Sequence, residues 1–116
     1  MRATSLELVV ERAEADAKIA KLREIAADKF NVSVEERIQA LKDAAALEDG
    51  IAAKELQLAK QRLEAHQLQM SLGLDDKAAL DEEAKLIAAV SKVETDRATK
   101  KRMLIRTTSA AQKEAD

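Results

Sequence analysis

An all-α fold is predicted: an elongated antiparallel helical hairpin, helices near residues 34–72 and 76–113, with a shorter N-terminal helix near 4–30. Together they make a three-helix bundle of coiled-coil character in a single domain spanning 1–116. Three observations predict it. The 116 residues include no proline, two glycines and one aromatic residue, so helix breakers and strand formers are nearly absent. Alanine occurs 24 times and Lys, Arg, Asp and Glu together 42 times, the composition of long helices. Apolar residues recur at three- and four-residue spacing along most of the chain.

The first helix opens on Thr4 with Glu7, a T-x-x-E capping box in which each side chain answers the other's free backbone N–H. Leu8, Ala15, Ile19, Leu22 and Ala26 follow at near-heptad spacing, with Arg12 interrupting. An Asn31-Val32-Ser33 connector ends it.

Ser33 with Glu36 is a second capping box and opens the middle helix. One stripe there runs Val34, Ile38, Leu41, Ala45, Ala52, Leu56, Ala59, Leu63, His66, Met70. A second runs Ala44, Leu47, Ile51, Leu58, Ala65, Leu68, Leu72. Two stripes suit a helix with neighbours on two sides. Asp49-Gly50 is a turn signal, but Leu47, Ile51 and Leu58 continue across it, which favours a continuous or kinked helix over a break. Gly73 after Leu72 fits a left-handed terminator.

Asp75 or Asp76 caps the last helix, and the acids at 75, 76, 81, 82 and 83 suit the positive end of its dipole. Leu80, Leu86, Ile87, Val90 and Val93 form its early seam; after Val93 the apolar set thins, so the end is expected to fray or to dock elsewhere. The packing seam of the whole fold is assigned to Leu22, Ile38, Leu41, Leu56, Leu63, Ile87 and Val90. Connectors of about three residues make sequential helices antiparallel neighbours.

The same composition bounds the core. The hydrophobic share is 47%, about half of it alanine, and Phe30 is the sole aromatic residue. Burial at roughly 25 cal/mol per Å² then gives little stabilisation per residue, and association with another chain is expected to supply the rest.

Chemistry finds little to work with. Without cysteine there are no disulfides or thiolate sites. His66 is the single histidine, so no H-E-x-x-H motif forms. Leu63 occupies the position where an E-x-x-H pair would need its glutamate. With Gly50 and Gly73 the only glycines, no G-x-S-x-G, P-loop or dinucleotide fingerprint occurs. The acids at 75–83 lack calcium-loop spacing and read as a solvated helix start. No catalytic residue, metal ligand or cofactor is expected, and the chain is read as a non-enzyme. No signal peptide is expected in the first ten residues and no membrane span anywhere, because the longest uncharged run, Ala65–Leu74, is far short of about 20 residues.

Charge is the uneven property. Net charge is −2 over residues 1–73, −4 over 74–96, +5 over 97–106 and −1 over the last ten. The basic block Arg97, Lys100, Lys101, Arg102 and Arg106, with Met103, Leu104 and Ile105 inside it, is the candidate partner-binding segment. Three readings stay open for it: a cation-enriched helix end paired with acids such as Glu94 and Asp96 or those of the first helix, docking on an acidic protein surface, and nucleic-acid contact. The last is weakened by net charge −2 and the absence of stacking aromatics. The expected function is a structural or assembly protein working through helix–helix contacts, self-associating or held in a larger complex. It would sit in the cytoplasm or inside a virion or other particle. A nucleic-acid-associated accessory factor using 97–106 is the alternative.

Overall fold

The computed structural model describes residues 5–73 and 76–115 and contains three helices: α1 (Ser5–Ala27), α2 (Val34–Ser71) and α3 (Lys77–Ala115). They hold 92% of the described residues, among which there is no strand. The starts follow from side-chain capping. Ser33 is extended (φ −64°, ψ 159°), and its Oγ accepts the Glu36 N–H at 3.2 Å. Asp76 Oδ1 accepts the Ala79 N–H at 2.8 Å and opens α3 in the same way. Thr4 and Asp75, the other caps expected from sequence, lie outside the described residues.

The stops are as local. α1 ends at Ala27, three residues short of the expected boundary. Asp28 Oδ1 accepts the backbone N–H of Asn31 at 3.0 Å and of Phe30 at 3.3 Å, a side-chain turn that competes with the helix for those donors. These bonds, led by Asn31, hold the Asp28 carboxyl below the usual carboxylate range. Gly73 closes α2 with φ of 95°, a conformation that L side chains rarely adopt. Gly50 is an ordinary helical residue: α2 runs through Asp49-Gly50 without a break.

Both α1 and α3 pack on α2, which is the middle helix of a body measuring 63 × 25 × 19 Å. The core is thin. Leu8 and Ile19 of α1, Ile38, Ala40, Leu41, Ala44, Ile51 and Ala52 of α2, and Ala111 of α3 are its buried apolar residues. Of the expected seam, Ile38 and Leu41 are buried, while Leu22, Leu56, Leu63 and Val90 are half-buried. Ile87 is 48% exposed. α3 turns Ala79, Glu83, Leu86, Val90, Val93 and Arg97 toward the bundle at alternating four- and three-residue steps. Ile87 falls one position, about 100° of rotation, off that line. Leu104 and Ala111 continue the line, so α3 is helical and packed well beyond Val93 rather than frayed there.

Candidate functional site

Charged side chains enter the interior at two levels of the bundle, and α2 supplies the centre of each. At the first, Arg37 of α2 is buried. Its Nε donates to the Ala26 carbonyl at 2.8 Å, answering a backbone acceptor left open at the end of α1. Its Nη2 lies 3.4 Å from Glu114 of α3, to which Lys29 also reaches at 3.5 Å. One guanidinium therefore ties the close of α1, the start of α2 and the end of α3.

The second level lies at mid-length. Glu48 and Glu55 sit two turns apart on one face of α2, and Arg12 of α1 forks between them, one Nη nitrogen on each carboxylate. Arg12 also approaches Asp16 at 3.3 Å. From the other side Lys100 of α3 closes on the second oxygen of Glu48. Next to it Arg97 grips Asp49 with two N–H donors, at 2.7 and 3.2 Å, and Lys101 stands 3.6 Å from the same carboxylate. Burial pushes the Glu48 carboxyl up, but the hydrogen bonds from Lys100 and Arg12 outweigh it and hold it below its ordinary value. Arg97 holds Asp49 low by hydrogen bonding, and its own guanidinium is raised in return. Arg12 is raised, chiefly by its bond to Glu55.

This layer engages Arg97, Lys100 and Lys101 within the fold, so their pairing is internal as in the first of the three readings, but with Glu48 and Asp49 of α2 rather than with Glu94, Asp96 or the first helix. The rest of the block points elsewhere. Arg102, Met103, Ile105 and Arg106 are exposed, Met103 and Ile105 at 61% and 66%, and Leu104 is half-buried. Arg102 and Arg106 form no ion pair among the described residues.

His66 is half-buried, and its Nε2–H donates to the Ala79 carbonyl at 2.7 Å, tying the far end of α2 to the start of α3. No group of three or more His, Cys, Asp or Glu side chains among the described residues is arranged to hold a metal ion. No helix among them is long and apolar enough to cross a membrane.

Between the C-terminal halves of α1 and α3 lies a groove of about 460 Å³ floored by Leu41 of α2 and lined by Ala26, Met103, Leu104 and Ala111. Glu48 with Lys100 and Arg37 with Glu114 also border it, so both interior charge levels adjoin an apolar trough. The residues that sequence reasoning left out are Arg12, Arg37, Glu48, Asp49 and Glu55. Arg12 carried a readable signal as the one charge in the apolar stripe of α1. Glu48 and Glu55 lie four residues after Ala44 and Ile51, on the same face as the second α2 stripe.

No protein-family profile, no curated protein and no solved structure matches the chain.

Proposed function

We propose that this chain is a non-enzymatic structural or assembly protein that acts by docking helix against helix, as a component of a larger complex such as a scaffold or particle. The observation that supports this reading is the distribution of apolar side chains. The thin core leaves Leu6, Val9, Phe30, Leu68, Leu72 and Ile105 between 64% and 99% exposed along a 63 Å bundle. Such apolar surface is costly to leave in water and is the raw material of an interface. The ionic layers act inside the chain: charges at fixed heights on three helices penalise a slip in register, a role for buried ion pairs distinct from raw stability. Thermal unfolding across a hundredfold range of protein concentration tests the proposal. A melting temperature that rises with concentration supports it through mass action, and a high, concentration-independent value contradicts it.

A second reading rests on Arg102 and Arg106, whose charges are not paired among the described residues and which flank Met103 and Ile105. That strip fits docking on an acidic protein surface, where exposed cations raise the association rate. Phosphate contact is the weaker form of this reading, because three of the five cations are already engaged in ion pairs with Glu48 and Asp49. With two cations left, nucleic-acid affinity would fall with salt at a log–log slope of only about −2.

A further inference from the structure

The second apolar stripe of α2 changes its surroundings half-way along. Ala44 and Ile51 are buried, Leu58 is half-buried, and Ala65, Leu68 and Leu72 are exposed, the two leucines at 64% and 76%. The residues at 44, 51, 58, 65 and 72 are spaced by sevens, so they form one heptad line. What differs is cover. α1 and α2 are antiparallel, Ala26 at the end of one meeting Arg37 at the start of the other, so the pairs Glu11–Lys54 and Arg12–Glu55 place the described start of α1 alongside about residue 61 of α2. Beyond that point the same line continues for about another 18 Å, and nothing among the described residues covers it.

We infer that this uncovered end is the seat of a second copy of the chain, the two α2–α3 hairpin ends packing side by side about a two-fold axis into a four-helix segment. The inference rests on the helix-docking function proposed above and names its partner. Two observations select the occupant. The surface continues a helix–helix interface already made inside the chain, with the same heptad spacing, so a helix fits it. It is also electrically blank: residues 65–74 carry no charge. A two-fold axis through this α2 face sets neutral residues against neutral residues, with the exposed acids Asp76, Asp81 and Glu82 at the start of α3 at its flank rather than on it. The hydrogen bond from His66 to the Ala79 carbonyl holds the two helices of the hairpin together under this surface. An overlap of about 18 Å makes a small interface, so the dimer is expected to be weak, with Kd on the order of 10–100 µM.

Sedimentation equilibrium of the full chain and of charge variants tests this. Leu68 is exposed, so Leu68→Glu and Leu68→Lys should each retain the helical circular dichroism of the wild type. In a two-fold interface residue 68 lies near its own counterpart. Each variant alone should therefore dimerise at least tenfold more weakly than the wild type, while a mixture of the two recovers dimers. Wild-type dimers that persist unchanged in either variant would place the interface elsewhere and overturn the inference, leaving the helix-docking function intact. The same holds if both variants are monomeric and their mixture stays so, since the tips would then meet another surface. Loss of the dimer in Leu6→Glu with Val10→Glu, with Leu68→Glu unaffected, would transfer the site to the outer face of α1. A wild-type chain that is monomeric at several hundred micromolar, with concentration-independent melting, would remove the inference and the proposed function together.

Discussion

Replacing Glu48 by glutamine should weaken the fold by about 1–2 kcal/mol, although the volume barely changes. Glu48 is 9% exposed and receives Arg12 from one helix and Lys100 from another. A hydrogen bond to a charged group contributes about 1.5–3 kcal/mol net against about 0.5–1.5 for a neutral one, so neutralising the acceptor costs roughly 1 kcal/mol per bond. Part of that is recovered. Lys100 is half exposed and turns to water, and Arg12 keeps Glu55 and Asp16. The remainder corresponds to a fall in melting temperature of about 5–10 °C for a domain of this size. Urea unfolding at low micromolar concentration, where association contributes least, is the assay. The pH dependence follows in sign. The folded carboxyl is held below its ordinary value, so its stabilisation is present above the unfolded value, near pH 4.3, and is lost as pH falls through the folded one. The gap between wild type and Glu48→Gln should therefore close in acid. A loss under about 0.5 kcal/mol at neutral pH, the range of an ordinary surface change, would refute the claim that the layer is energetically coupled.

Other outcomes follow from local geometry. Lys100→Glu with Lys101→Glu should lower the melting temperature by several degrees, because the new acids face Glu48 and Asp49; unchanged melting, seen by calorimetry, would return these lysines to the surface. Gly50→Ala should stabilise the chain by about 0.5–1 kcal/mol in urea unfolding, since a methyl group there meets nothing within 4 Å and the backbone is helical. Gly73→Ala should instead cost about 1 kcal/mol or more in the same assay, space being equally open but φ standing at +95°. Ser33→Ala should cost about 1 kcal/mol through the lost cap on Glu36, readable as a lower urea midpoint at unchanged slope.

The helices were legible because their signals are local. Ser33, Asp76 and Gly73 act within four residues of themselves, and the apolar stripes need only helical periodicity. The end of α1 was less legible, since Asp28 had to be weighed as a competitor for the N–H groups of Phe30 and Asn31. Ile87 shows the limit of apolarity as a guide. It sits among seam residues in sequence, yet one position of rotation leaves it at the surface. The ionic layer was hidden for another reason. Pairing Arg97 with Asp49 or Lys100 with Glu48 spans about fifty residues and depends on the register between helices, which no stripe on a single helix specifies. The three readings of the basic block stayed open because the countercharges of Arg97, Lys100 and Lys101 lie on α2. The open end of α2 was visible in part: the stripe through Ala65, Leu68 and Leu72 and the shorter reach of the first helix, about two-thirds of the hairpin, could be read, but not the register that decides which residues it leaves exposed.

Small-angle X-ray scattering over a concentration series tests most directly whether this bundle works by docking its exposed helix surfaces, and by which one. At low concentration the particle should be about as long as the 63 Å bundle, with a radius of gyration close to the 18.9 Å of its Cα trace. At several hundred micromolar an end-overlapped dimer should form, its longest dimension about 110 Å, two bundles sharing some 18 Å of helix. A particle that keeps its dimensions at every concentration, or doubles its mass while its length stays near that of one bundle, would contradict it.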